Sequence, residues 1–287
     1  MKSEKPKILY IGAVKLSARL LHRLISCDVN LVGICSKKTP GSHADFDDFS
    51  TVVRNKPIPL LKTNDINSSS SIKWIKEIKP DIIICIGWSQ LLTNAIIKIP
   101  RLGIVGYHPS ALPKNRGRHP LIWALALGLR KTGSTFFLID EGADTGPILS
   151  QKIVEIYDYE DASALYEKMT IVAEKQLVEL LPKLDDLKSF GRAQNNKSAN
   201  SWRKRDARDG RIDWRMNATN IFNLVRSLSH PYVGAHFTYN NLDYKVWKCK
   251  VVHLGAKNIE PGKVLRNSVD SLVIKCGLNS IEISEIE

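Results

Sequence analysis

The sequence predicts an α/β protein in which a domain built on a parallel sheet precedes a small β-barrel domain. Strand-like and helix-like segments alternate through the first half, a pattern typical of parallel sheets covered by helices on both faces. Short strand-like segments follow one another near the C-terminus, as in small barrels. Between them, residues 183–200 lose periodicity. We predict a first domain at 1–183, a linker at 184–205 and an accessory domain at 206–287.

The elements of the first domain follow one another along the chain. Ile82–Ile86 is almost all isoleucine, which is typical of a strand buried on both faces. The other predicted elements are strands at Lys7–Ile11, Val29–Cys35, Gly103–Tyr107, Gly133–Leu138 and Ile148–Val154, and helices at Ser17–Leu24, Pro120–Leu127 and Leu165–Leu180. Ligands of such sheets bind beyond the carboxyl ends of the strands, where Gly12–Ser17, Gly87–Leu92 and the residues after Tyr107 fall.

The last part of the chain mixes one helix with several strands. Asn217 is a suitable N-cap for a short helix whose inner face carries Ile221, Leu224 and Leu228. The predicted strands are Ala235–Tyr239, Tyr244–Val252, Gly262–Leu265, Leu272–Cys276 and Ile281–Ile283.

The chain is basic, with a formal net charge of +13. No acidic residue lies between Asp81 and Asp140, where seven basic ones do: Lys98, Arg101, Lys114, Arg116, Arg118, Arg130 and Lys131. A positive field speeds encounter with anions, so this stretch is a candidate anion pocket. A solvated basic face remains the alternative.

Cysteine usage and hydropathy indicate where the protein works. The five cysteines are scattered, odd in number and never spaced as metal knuckles, which is typical of reduced thiols. No apolar run reaches the roughly 18–20 residues that span a bilayer. The N-terminal residues lack the pattern of a signal peptide. We therefore expect a cytoplasmic protein without membrane contact.

Two segments carry the candidate chemistry. The turn after the first strand has one glycine, Gly12, where a dinucleotide fingerprint needs several, so we expect no such cofactor. His108 follows a buried strand and precedes a stiff, proline-bracketed loop. Asp140–Gly146 is a tight loop with three carboxylates. Alone, His108 is as often structural as functional, and the acidic loop is equally compatible with a solvated turn.

Together the two segments indicate acid–base chemistry. A carboxylate beside an imidazole fixes its tautomer and stabilises the imidazolium. No nucleophile elbow or reactive cysteine accompanies them, so covalent catalysis has no evident nucleophile. A His–Asp pair without a nucleophile suits general acid–base catalysis between two bound substrates.

The motifs resemble one known family over nearly the whole chain. His108–Pro120 reads HPSALPKNRGRHP, and Asp140–Gly146 reads DEGADTG. Both are similar to the folate-dependent formyltransferases, which include methionyl-tRNA, glycinamide ribonucleotide and nucleotide-sugar formyltransferases. The segments Asp209–Trp214, Pro231–Ala235 and Lys245–Lys248 resemble the two-domain members.

The resemblance implies a Rossmann-like domain with an OB-like C-terminal domain, 10-formyltetrahydrofolate as formyl donor, and no metal. It implies that an amine attacks the formyl carbon, that His108 stabilises the oxyanion, and that Asp144 orients His108 and aids proton transfer. The expected folate-binding residues are Trp88, Ser89, Gln90, Leu91, Leu92, Asp140, Glu141 and Gly142. The expected substrate-binding residues are Gly106, Tyr107, Pro109, Ser110, Lys114, Arg116 and Arg118.

One position departs from the family pattern. The family has asparagine two residues before the histidine, where this chain has Gly106. Loss of one oxyanion donor typically costs on the order of 10²–10³ in rate. Ser110, Gln90 or a backbone amide is the expected substitute, because His108, Asp144 and the surrounding loop are retained. We expect an active enzyme, with a slow or inactive protein as the alternative.

Three acceptor hypotheses follow. Arg116-Gly117-Arg118 is more like the sugar-modifying members, and arginine binds pyrophosphate bidentately. Residues 201–287 carry +5 and residues 1–200 carry +8, so the positive charge is not concentrated in the appended domain. The sequence thus favours a nucleotide-linked amino sugar, with methionyl-tRNA as runner-up and a non-catalytic nucleotide- or RNA-binding module third. Binding of other nucleic acid is not expected, and a homodimer is left open.

Overall fold

A computed structural model describes residues 4–41, 44–54, 56–254 and 257–287. It confirms a mixed α/β fold followed by an antiparallel sheet consistent with a small barrel. The strands are β1 (Lys7–Gly12), β2 (Asn30–Ser36), β3 (Leu60–Lys62), β4 (Ile82–Ile86), β5 (Gly103–His108), β6 (Arg116–Gly117), β7 (Lys131–Leu138), β8 (Ile148–Glu155), β9 (Ser201–Trp202), β10 (Ala235–Tyr239), β11 (Leu242–Val252), β12 (Val264–Asn267), β13 (Leu272–Lys275) and β14 (Ser280–Ile286). The helices are α1 (Lys15–Ser26), α2 (Ser50–Val53), α3 (Ser69–Ile78), α4 (Asn94–Ile97), α5 (Pro120–Ala126), α6 (Ala162–Leu180), α7 (Leu187–Phe190) and α8 (Ala218–Leu228).

The large sheet has seven strands in the order β3-β2-β1-β4-β5-β7-β8. From β3 to β5 every pair is parallel, and the continuous apolar strand β4 is fully buried at its centre. β7 then runs antiparallel to β5, so that His108 is opposite Thr135 and Val105 is opposite Leu138. The sheet is therefore parallel-dominated, not wholly parallel as the alternation of elements predicts.

Helix α3 is an element that the sequence analysis did not assign. Its N-cap is Ser68, whose hydroxyl accepts a hydrogen bond from the Ser71 amide. Ile75 of this helix is fully buried in the apolar core under β1 and β4. The run of four serines at residues 68–71 therefore forms the N-terminus of a helix.

The chain divides into two compact units. The first comprises residues 1–117, 133–154 and 168–201, and the second comprises 118–132, 155–167 and 202–287. The stretch predicted as a linker contains short helical turns and α7, so it is ordered over much of its length. The domain boundaries predicted from the sequence stay a prediction.

The second unit contains the five-stranded sheet, in the order β10-β11-β14-β13-β12. Its apolar core is shared by α5, α8 and this sheet, and Ile122, Ile221, Leu224, Val246 and Ile281 are buried in it. Three ion pairs join β11 to β14 and the residue after it: Lys245–Glu287, Lys248–Glu285 and Lys250–Glu282. Within the described ranges, no helix has the length and apolarity needed to cross a membrane.

Candidate active site

His108 and Asp144, the predicted catalytic pair, lie next to each other. His108 ends β5 and is 5% exposed. Its Nδ1 is 3.6 Å from Oδ2 of Asp144, and its Nε2 is 2.8 Å from the carbonyl oxygen of Asn115. Both ring nitrogens therefore lie near oxygen acceptors, so either nitrogen of the imidazole has an acceptor for its proton nearby. The longer contact exceeds a hydrogen bond by roughly half an ångström.

The segment before α5 holds both members of this pair. The Asn115 carbonyl meets the imidazole of His108, and the Gly117 amide donates to Oδ2 of Asp144 at 3.0 Å. Asn115 is itself fixed by Asn200, whose side-chain oxygen accepts from its amide at 2.8 Å. The imidazole and the carboxylate are thus both anchored to main-chain atoms that are two residues apart.

Arg116 lies between these two anchors and points into the protein, where it is 8% exposed. Its guanidinium donates to Oε1 of Gln194 at 2.8 and 3.3 Å, and to Oδ1 of Asn196 at 2.9 Å. Gln194 in turn donates to the carbonyl oxygens of Asp144 at 2.9 Å and Gly146 at 2.7 Å. The Arg116 guanidinium is thus bonded to side chains of the protein, and its predicted contact with a substrate phosphate stays a prediction.

Sequence reasoning missed Gln194, Asn196 and Asn200 because they fall in the predicted linker. These side chains are polar and lie some 80 positions beyond Arg116, so no local periodicity connects them to the site. The only signal was compositional, since the stretch is rich in lysine, aspartate, serine and asparagine and poor in apolar residues.

The face of β5 that carries His108 is closed at Gly106. A Cβ on Gly106 would lie 2.9 Å from Cγ1 of Ile139 and 2.9 Å from Cζ of Phe137. Phe137 belongs to a small apolar cluster with Leu112 and Ile148. The place of the family asparagine is therefore filled by the apolar side chains of Ile139 and Phe137.

Tyr107 and Ser110, two predicted substrate ligands, both make contacts within the protein. Tyr107 points to the face of β5 opposite His108, where its ring lies on Phe136 and its hydroxyl accepts from Ser134 at 3.0 Å. Burial also raises the pKa of the Tyr107 phenol. Ser110 is fully buried and donates its one hydroxyl proton to the carbonyl of Lys114, so in this arrangement that proton does not face an oxyanion. Its role as a substitute for the family asparagine stays a prediction.

The neighbouring predicted substrate residues differ in exposure. Pro109 is half-buried, and the Lys114 side chain is exposed on the same loop. Arg118 belongs to the second unit, where its amide donates to the carbonyl of Trp202 at 3.0 Å.

The predicted folate segment after β4 mixes core and surface residues. Leu92 is buried in the core, whereas Leu91 is 64% exposed. Trp88 packs on the same core, and its indole Nε1 is buried without a hydrogen-bond acceptor among the described residues. Ser89 accepts from Lys37 at 2.8 Å, and Gln90 uses its side-chain oxygen to hold the Ile66 amide at 3.2 Å.

The acidic loop is shaped by its first residue. Oδ1 of Asp140 accepts from the Gly142 amide at 3.0 Å and from the Thr145 hydroxyl at 2.5 Å. Glu141 is exposed beside them. Asp140 therefore acts first as the support of the turn that presents Asp144.

The basic residues of the acid-free stretch are not all available to an anion. Arg101 pairs with Asp81 at 2.7 Å, and Arg130 pairs with Asp158. Arg116 is buried, as described above. In the ranges that the structure covers, no group of three or more His, Cys, Asp or Glu side chains is placed to bind a metal ion.

Comparison with known families identifies this arrangement. The formyl transferase family profile matches residues 9–181, and the profile of the formyl transferase C-terminal domain matches residues 204–287. The chain belongs to the formyl transferase family. The first match covers His108 and Asp144, and the second covers the antiparallel sheet.

Individual relatives differ in what they are named for. The chain is 30% identical to the methionyl-tRNA formyltransferase of Caldanaerobacter subterraneus, over 98% of this chain and 92% of that protein. Its fold is similar to the N-formyltransferase from Helicobacter canadensis solved with folinic acid and dTDP-3-aminofucose, at 16% identity and a TM-score of 0.73, covering 98% and 100% of the two chains. HypX from Aquifex aeolicus with tetrahydrofolic acid matches at 16% identity and a TM-score of 0.67, over 99% of this chain. The chain spans only 44% of HypX.

Proposed function

We propose that this formyl transferase moves a formyl group from 10-formyltetrahydrofolate to the amine of a nucleotide-linked amino sugar. The observation that carries formyl transfer is the buried His108 beside Asp144, with the Gly117 amide on the carboxylate. The folate complexes of two proteins with the same fold support the donor.

In the proposed reaction, the amine nitrogen forms a bond to the formyl carbon, and the carbonyl electron pair moves to oxygen. His108 stabilises this oxyanion by donating a ring N–H, which requires the contact with Asn115 to be exchanged for one with the substrate. Asp144 accepts the proton that the amine loses. Collapse of the intermediate breaks the bond to folate N10, which takes up a proton, and releases the N-formyl product and tetrahydrofolate.

The placement of positive charge favours a small acceptor over tRNA. On the C-terminal sheet, each lysine of the three β11–β14 pairs has a glutamate within 3.5 Å. Such pairs cancel the local field that attracts a polyanion. Lys37, which follows β2, donates to Ser89 and lies 5.6 Å from the centre of the Trp88 ring.

Methionyl-tRNA is the second candidate acceptor. It is favoured by the 30% identity to a methionyl-tRNA formyltransferase over 98% of the chain. The two candidates differ in how binding responds to salt, because a polyanion releases many counterions and a nucleotide sugar few.

A comparison of turnover with each acceptor tests the proposal. The purified chain is incubated with 10-formyltetrahydrofolate and with dTDP-3-aminofucose, UDP-linked 4-amino sugars or initiator methionyl-tRNA, and N-formyl products are measured by mass spectrometry. We expect turnover of a nucleotide sugar that Asp144→Asn abolishes. Turnover of methionyl-tRNA alone, with a KM that rises steeply between 50 and 200 mM salt, as expected for about six or more phosphate contacts, would replace the sugar with the second candidate.

A further inference from the structure

We infer that Gln194 and Arg116 are positioning residues that hold the Asp144 loop in its reactive geometry. The inference rests on the proposed function, because it assigns these side chains to the same reaction. Gln194 lies in the stretch that the sequence analysis treats as a linker, and it touches the backbone of the loop, not its carboxylate.

Asp144 needs such support because of its backbone conformation. Its φ is 58°, in the left-handed region, which non-glycine residues adopt uncommonly and aspartate more readily than most, so contacts that fix this turn also fix the carboxylate. The amide of Gln194 bonds the carbonyl oxygens on both sides of Thr145, at 2.9 Å to Asp144 and 2.7 Å to Gly146. Two bonds from one NH₂ group therefore fix the turn at the residue that carries the carboxylate.

Arg116 fixes the orientation of Gln194. Its guanidinium donates twice to Oε1 of Gln194, so the amide nitrogen must point toward the loop carbonyls. The Arg116 guanidinium can only donate hydrogen bonds, and the two loop carbonyls can only accept them. The side chain between them must therefore accept from Arg116 and donate to the loop, and the glutamine amide does both. Leucine, lysine or glutamate at position 194 leaves at least one buried polar group unpaired.

The same segment also fixes the other side of the carboxylate. The residue after Arg116, Gly117, donates its amide to Oδ2 of Asp144 at 3.0 Å. One rigid connection therefore runs from Gly117 through Arg116 and Gln194 to the Asp144 carbonyl, and it closes on the carboxylate. A displacement of Gln194 should therefore change the hydrogen bond of the Gly117 amide to Asp144.

The Gly117 amide can be observed without a substrate. Arg116-Gly117 is the only Arg-Gly pair in the sequence, so a chain labelled with carbonyl-¹³C arginine and ¹⁵N glycine has a single doubly labelled peptide bond. Its amide signal is followed in the wild type, in Gln194→Ala and Gln194→Glu, and in Asp144→Ala, which removes the acceptor. Gln176→Ala is the control, because Gln176 is a buried glutamine whose amide, like that of Gln194, donates to a backbone carbonyl, here that of Ser134.

We expect both Gln194 variants to move the Gly117 signal in the direction of Asp144→Ala and to speed its exchange with water at least about tenfold. Gln176→Ala should leave the signal in place even if it lowers the melting temperature. An unchanged Gly117 signal in folded Gln194→Ala overturns the inference, whatever the acceptor is.

Kinetics provide the second readout, with dTDP-3-aminofucose or initiator methionyl-tRNA, whichever is turned over. Gln194→Ala should lower kcat by about 10- to 100-fold and change KM less than about threefold, since it disturbs the reacting group and not the binding contacts. In an Asp144→Asn background, Gln194→Ala should have no further effect. Multiplying losses overturn the inference, whereas wild-type turnover in Asp144→Asn contradicts the proposed function itself.

Discussion

Replacement of Gly106 by asparagine restores the residue that the family has at this position, and the structure predicts that it damages the protein. The new Cβ would lie 2.9 Å from Cγ1 of Ile139 and 2.9 Å from the ring of Phe137. Real Cβ atoms essentially never approach other heavy atoms so closely, so at least one of the two side chains must move. The amide beyond the Cβ would then enter an apolar cluster.

The cost follows from two terms. Overpacking of a filled core costs about 1–3 kcal/mol, and a buried amide without partners costs about 1–3 kcal/mol more. Replacement of glycine also lowers the conformational entropy of the unfolded chain, which stabilises the folded protein by about 0.4–1 kcal/mol. We therefore expect Gly106→Asn to lower the free energy of unfolding by about 2–5 kcal/mol without raising kcat.

Urea unfolding followed by circular dichroism measures the effect. Gly106→Ala, which adds the Cβ alone, should cost about 1–2 kcal/mol, and the difference between the two variants isolates the amide. Adding Ile139→Ala should recover about 1 kcal/mol or more relative to additivity. Wild-type stability with a raised kcat in Gly106→Asn would refute the reasoning.

Three further predictions concern the site and the second unit. His108→Asn or Asp144→Asn should lower kcat at least about 10²-fold with folate binding retained in titrations, and near wild-type turnover would remove the pair from catalysis. Arg118→Ala should raise the KM for a nucleotide sugar about tenfold at similar kcat, and an unchanged KM would exclude a phosphate contact. Arg203 lowers the pKa of Asp209 by hydrogen bonding, so this carboxylate stabilises the fold above about pH 4 and ceases to do so as the pH falls through its lowered pKa. Asp209→Asn should therefore lower the melting temperature by about 2–4 °C at pH 7, and a gap of the same size persisting to pH 2 would contradict this assignment.

The architecture could be predicted where it depends on local apolar patterns. The isoleucine run of β4 and the alternation before it predict a buried parallel sheet, and the structure confirms it. Helix α3 was missed because it begins in a serine tract, where Ser68 is a cap and the apolar face is short. The direction of β7 was missed because a strand pattern contains no information about which way its neighbour runs.

The candidate site was predictable only in part, for a similar reason. His108 and Asp144 stand in distinctive local motifs, so their proximity could be expected from the sequence. The burial of Arg116 could not be expected from the sequence, because it depends on Gln194 and Asn196 far along the chain. The filled space at Gly106 likewise depends on side chains from the neighbouring strand.

The bonds of Arg116 also decide how short a functional formyl transferase chain of this kind can be. The family profile for the first domain stops at residue 181, before Gln194, Asn196 and Asn200. A chain cut there would lose the acceptors of the Arg116 guanidinium and release the Asn115 amide from Asn200. The shortest autonomous catalytic fragment should therefore retain the chain through Asn200. During synthesis, the site around His108 and Asp144 can therefore reach its final arrangement only after Asn200 has emerged from the ribosome.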